Sequence, residues 1–189
     1  MGASLMHIPK IALLAVLLIW PALPAAAQNS PDSPGQVPYS YHGEQKDGRP
    51  HGLGVLTAAN GERYAGEFRN GLYHGLGVLA SPNGDQYAGQ FQDGQYGGLG
   101  VFKAPDGQRY EGQFLKGDYS GHGVFRFQGD VYAGEFRHSD YHGYGVYSFP
   151  DGAKYEGEFR DSLYHGFGVL NSPGEPVQKG EFKDGDFFE

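Results

Sequence analysis

From Tyr41 onward, apolar and polar residues alternate with a period of two in short runs broken by glycine-containing turns. The runs themselves recur. Tyr41, Tyr64, Tyr87 and Tyr110 lie 23 residues apart, Tyr132 follows after 22, and Tyr155 after 23. Each opens a unit of the form Tyr-x-Gly-Glu/Gln, followed by Phe in every unit but the first, where Gln45 stands. A half unit begins at Gln178, giving six units and a fragment. Strict alternation over five or more residues is the pattern of a β-strand with two unlike faces. A fixed period of this length marks a repeat array.

Positions in a unit are numbered here from zero at its Tyr. Gly holds positions 2, 11 and 13, Tyr holds position 9 in five units, and Val holds position 14 in all six. Pairs such as Asn70-Gly71 and Asp93-Gly94 at positions 6 and 7 predict two-residue hairpin turns. A second loop carries Pro-Asn-Gly or Pro-Asp-Gly, as in Pro82–Gly84 and Pro105–Gly107, and suits a three-residue connection. The short unit shortens this loop to Gln128-Gly129 and leaves the strand register intact. With a two-residue first turn, facing positions sum to 13. Phe at 4 then faces Tyr at 9, Gly at 2 faces Gly at 11, and Tyr at 0 faces Gly at 13. The glycines leave room for rings to lie across one face of the sheet. The fold class expected is all-β: an extended, single-layer antiparallel meander of tandem 23-residue β-hairpins, about 13 strands in all.

The residues Tyr-x-Gly-Glu-Phe, a glycine turn and His-Gly-x-Gly resemble the MORN repeat family, and the resemblance covers Tyr41 to the C-terminus. The departures are Phe in place of a frequent Trp, and Ser139 and Ser162 in place of the turn Gly. The resemblance implies a protein-interaction platform, with self-association among the expected properties. It also implies contact with membrane lipid, which the charge of this chain opposes.

The N-terminal residues differ from the array. Lys10, the apolar run Ile11–Trp20 and the small pair Ala25 and Ala27 have the order of a secretory signal peptide covering residues 1–27, with cleavage expected after Ala27. The apolar run is shorter than the ~20 residues of a spanning helix. Residues 28–40 hold three prolines and read as a polar linker, leaving residues 41–189 as the repeat array. Removal of residues 1–27 takes away Lys10 and no acid, so the formal charge moves from −8 to −9. Nucleic acid and tight anionic-lipid binding are therefore not expected. There is no cysteine, hence no disulfide and no thiolate metal site. An exported location, periplasmic or secreted, is expected.

The chemistry available lies on the face opposite the rings. Glu44, Glu67, Glu135 and Glu158 at position 3 are expected to face His51, His74, His142 and His165 at position 10. Where position 10 is Gly97 or Ser120, position 3 is Gln90 or Gln113. Glu111 is likewise expected to face His122. These are read as cross-strand charge pairs. Equivalent histidines of neighbouring units stand roughly 9.5 Å apart, too far for one zinc ion with bonds of about 2 Å. No metal, cofactor or catalytic residue is expected. Asp118, Ser120 and His122 supply triad residue types, but side chains so close on one strand do not converge. Leu76, Leu99, Tyr144 and Phe167 at position 12, with Val78, Val101, Val146 and Val169 at position 14, form an apolar stripe and the candidate interaction surface. The function expected is a non-catalytic exported scaffold or protein-interaction module. The alternative is an envelope glycan-binding module or an accessory to a cell-envelope enzyme.

Overall fold

The computed structural model describes residues 38–188. The segment expected to be a signal peptide and nearly all of the expected linker lie outside the described residues. The chain forms fourteen strands: β1 Tyr39–Lys46, β2 Arg49–Ala58, β3 Arg63–Arg69, β4 Leu72–Ala80, β5 Gln86–Gln92, β6 Gln95–Lys103, β7 Arg109–Leu115, β8 Asp118–Phe127, β9 Asp130–Arg137, β10 Asp140–Ser148, β11 Lys154–Arg160, β12 Leu163–Asn171, β13 Gln178–Lys183 and β14 Asp186–Phe188. They make one antiparallel sheet in chain order, with no crossover. The all-β meander expected from the repeat is therefore present. Tyr39 and Ser40, assigned above to the linker, belong to β1.

The first turn of each unit has both central residues at positive φ, as Asn70 (53°) and Gly71 (83°) show. This is the mirror-image turn whose twist matches the strands it joins. Ser139 and Ser162 adopt the same conformation at 68° and 64°. Their hydroxyls accept hydrogen bonds from the backbone N–H of Tyr119 (3.2 Å) and Tyr141 (3.1 Å), one hairpin back. That bond offsets part of the cost of a non-glycine residue there.

The register departs from the expectation in one respect. Phe68 faces Tyr73 and Glu67 faces His74, as the two-residue turn requires. Beyond them the ladder slips by two. Gly66 faces Gly77, and Tyr64 faces Leu79. Gly75 and Leu76 are left over as a bulge toward β3, although both pair normally with β5 on the other side. The same slip occurs in the hairpins of the other five full units, and the short β13–β14 hairpin pairs without it. Gly75 makes it possible by holding a φ of 56°, where a side chain is disfavoured. Glu111 consequently faces Val124 and not His122.

The slip decides how the rings pack. The Tyr64 ring leans along the sheet over Gly77, and a Cβ built there would sit 2.6 Å from its Cε2 and Cζ. Its hydroxyl donates to the carbonyl of Glu67 (2.9 Å), beside the bulge. Tyr41, Tyr87, Tyr110, Tyr132 and Tyr155 make the same bond to Glu44, Gln90, Gln113, Glu135 and Glu158. The bond ties each ring to the backbone beside the bulge and needs a hydroxyl, which Phe could not supply. Tyr64 stacks on Tyr73 (3.8 Å, 12°) and is struck edge-on by Phe68 and Phe91 (both 5.0 Å). The motif runs on through Tyr87, Tyr110, Tyr132 and Tyr155 to Phe182. The core is therefore one ladder of rings that shield each other, each unit completed by its neighbour.

Candidate interaction face

The opposite face holds the residues that the ring ladder leaves out. Three rows run across the strands on this side. In the first, position 12 of one unit stands opposite position 3 of the next: Leu53 with Glu67, Leu76 with Gln90, Leu99 with Gln113, Tyr144 with Glu158. The apolar stripe is thus interleaved with the Glu and Gln positions rather than lying beside them. Its members are exposed: Leu76 63%, Leu99 64%, Tyr144 55% and Phe167 71%. Leu53, which the sequence reading omitted, is exposed to 64% and extends the row by one unit. His122 occupies the equivalent place in the fourth unit. The second row is the Val row. Val78 is exposed to 54%, while Val101, Val146 and Val169 are half-buried between their neighbours.

The third row lies nearest the second loop. It reads Ala80, Gln86, Lys103, Arg109, Arg126, Val131 and Ser148 across consecutive strands. Three cations are adjacent at its centre. Arg109 Nε donates to Glu111 Oε1 at 2.6 Å. That hydrogen bond, with the added charge of Arg126 and Lys103, holds the Glu111 carboxyl below the usual carboxylate range.

The Glu and His positions are arranged differently from a charge ladder. Glu67, Glu135 and Glu158 do stand opposite His74, His142 and His165 in the register. Their carboxylates, however, accept from the backbone N–H of the bulge: Leu76 N to Glu67 Oε1 (3.1 Å), Tyr144 N to Glu135 Oε1 (3.2 Å) and Phe167 N to Glu158 Oε1 (3.2 Å). Gln90 and Gln113 perform the same task with an amide oxygen, accepting from Leu99 N (2.9 Å) and His122 N (3.0 Å). The requirement at position 3 is an acceptor, which either side chain supplies.

The histidines look to the next unit. His74 Nδ1 lies 3.8 Å from Asp93 Oδ1, and His165 Nδ1 lies 3.8 Å from Asp184 Oδ1. Arg69 and Arg160 meet the same two aspartates at 2.8 and 3.1 Å. His51 Nδ1 accepts from the N–H of Asn70, the equivalent turn residue (3.4 Å). His142 Nδ1 is buried without a hydrogen-bond partner. In three of the four units that carry His, position 10 therefore meets position 6 of the following hairpin. Where that residue is Lys116 or His138, position 10 carries Gly97 or Ser120 and a like charge is avoided. This correlation was available in the sequence at a spacing of 19 residues, or 18 across the short unit. These pairs are half exposed and each contributes little. Among the described residues, no group of three or more His, Asp or Glu is placed to hold a metal ion.

The acceptor role gives a direct test. Glu67→Gln is expected to leave stability within about 0.5 kcal/mol of wild type. Glu67→Ala is expected to cost about 1 kcal/mol, because the Leu76 N–H loses its partner. Urea midpoints of the two variants check this. An equal loss in both would show that the charge, and not the acceptor, matters.

Comparison with known sequences comes to the same repeat boundaries. No curated protein matches the chain. The sequence model of the MORN repeat matches at residues 41–63, 64–86, 87–109, 110–129, 132–154 and 155–174. Six consecutive matches span most of the chain and coincide with the hairpins described above, so the protein belongs to the MORN repeat family, and its architecture is that of a repeat-based interaction or scaffold module.

Proposed function

We propose that this protein is an exported, non-catalytic scaffold that binds a protein partner on the face opposite its aromatic ladder. One observation carries the proposal. Large apolar side chains hold position 12 in five of the six units, each exposed by more than half. The fold does not use them, since the core is built from the other face. Repeated exposed apolar residues on an otherwise polar surface mark a binding site. Export is supported by the order of Lys10, the apolar run and the Ala25 and Ala27 pair in the sequence. A glycan partner has less support. The repeated Tyr and Phe rings are packed into the core, and Tyr144 and Phe167 are the only exposed rings of the row.

Site-specific photo-crosslinking in envelope-bearing cells tests the proposal. A crosslinker at position 76 or 99 is expected to give a discrete protein adduct, with none from the exposed turn position 117. Intact mass of the recovered protein is expected to match a chain beginning at Gln28. Equal labelling from all three positions would refute the working face, and a full-length mass would refute cleavage.

A further inference from the structure

Lys103, Arg109 and Arg126 stand directly opposite one another on β6, β7 and β8. Like charges placed so on adjacent strands destabilise a sheet. Glu111 bonds Arg109 and also lies in the field of Arg126 and Lys103. The chain as a whole carries −8, so acids are plentiful, yet the row stays locally positive. Lys103 and Arg126 are exposed. The bond to Glu111 accounts for Arg109, and a ligand supplies the physical rationale for setting two further cations beside it.

From this arrangement we infer that the partner of the proposed working face is an acidic, amphipathic polypeptide segment. It sets apolar residues on Leu76 and Leu99 and brings Asp or Glu side chains to Lys103, Arg109 and Arg126. The inference rests on the binding role proposed above and specifies its partner. The basic row and the apolar row lie on the same face, separated by the Val row. One segment can therefore reach both. Complementary charge of this kind selects partners and fixes register. A flat anionic membrane fits less well. It would cover the whole face, and the carboxylates of Glu67, Glu135 and Glu158 alternate with the apolar residues there.

The probe is a phage-displayed library of random 16-residue peptides, panned on the purified full chain. Selected peptides are expected to combine Leu, Ile or Phe with several Asp or Glu. Their binding is expected to weaken at least about tenfold in the pair of substitutions Lys103→Glu and Arg126→Glu. A similar loss is expected in the pair Leu76→Ser and Leu99→Ser. All four positions are exposed, so melting curves should match wild type. The milder pair Lys103→Gln and Arg126→Gln serves if they do not. Peptides without acids, or binding unmoved by charge reversal, would overturn the inference and leave the apolar face as the binding site. Binding unmoved by the Leu substitutions, or no selected peptide at all, would overturn both. Phosphatidylglycerol vesicles form the second arm. Vesicle binding that disappears on charge reversal would assign the row to a membrane and overturn the peptide.

Discussion

Raising the pH from 9 to 12 is expected to unfold the array in one cooperative step. Twelve of the fourteen tyrosines have phenols pushed above their ordinary value, in each case mainly by burial. Those of Tyr110 and Tyr155 are pushed up to about 12, and those of Tyr64, Tyr87 and Tyr132 further. The hydroxyls of these five also donate to backbone carbonyls, a bond that requires the proton. In the unfolded chain a tyrosine ionises near ~10. Below that pH both states hold the proton, and the full stability is present. Above it the unfolded chain releases protons that the folded chain retains, so stability falls as pH rises. Each such group costs about 1.4 kcal/mol per pH unit. Even four of them over two units remove about 11 kcal/mol, comparable with the ~5–15 kcal/mol that holds a typical domain together. Phenolate absorbance and the β-sheet circular dichroism signal should therefore change together above pH 10. Independent titration of the tyrosines near pH 10, with the sheet signal intact, would show that the rings are not packed as described.

Gly77→Val is expected to destabilise the protein far more than Gly71→Ala. A Cβ at Gly77 meets the Tyr64 hydroxyl and lies 2.6 Å from two ring carbons. The ring cannot move aside freely, because Tyr73 stacks on it at 3.8 Å and Phe68 and Phe91 press its edges. Lifting it would also release its bond to the Glu67 carbonyl. Overpacking costs about 1–3 kcal/mol, and the lost hydrogen bond about 1 more. In an array each interface depends on its neighbour, so the damage spreads to the adjoining hairpins. Gly71 sits in a turn at a φ of 83°. Alanine there bears mainly the left-handed backbone penalty of roughly 1–2 kcal/mol. Denaturant midpoints compare the two variants. Equal losses would mean that the ring does not lie over Gly77.

How much was legible follows from the range of each interaction. The hairpins were legible because Asn70-Gly71 and its counterparts are local signals, and because Tyr and Phe alternate with Gly on a period of two. The bulge was not. Gly75 and Gly77 are two residues apart and equally small, so the pattern fits either register. The ladder slips because Gly75 can take the left-handed conformation and Glu67 can cap the freed N–H. Gln90 and Gln113 held the clue, since an amide can accept as a carboxylate does but cannot pair as a charge. The histidines face the glutamates of their own hairpin, as the turn spacing predicted, but the carboxylates beside His74 and His165 are others that the hairpin pattern alone does not bring near. Asp93 and Asp184 come from the next hairpin.

Sequence by itself determined the repeat, the strand order and the two unlike faces, because short-range alternation and turn chemistry suffice for those. Tertiary structure alone decided that the ladder slips by two residues beside Gly75, that Leu76 and Leu99 stay exposed, and that Lys103, Arg109 and Arg126 form one row. Each depends on the two-residue slip or on strands brought together from separate units, and the energy that selects it comes from packing between neighbouring hairpins.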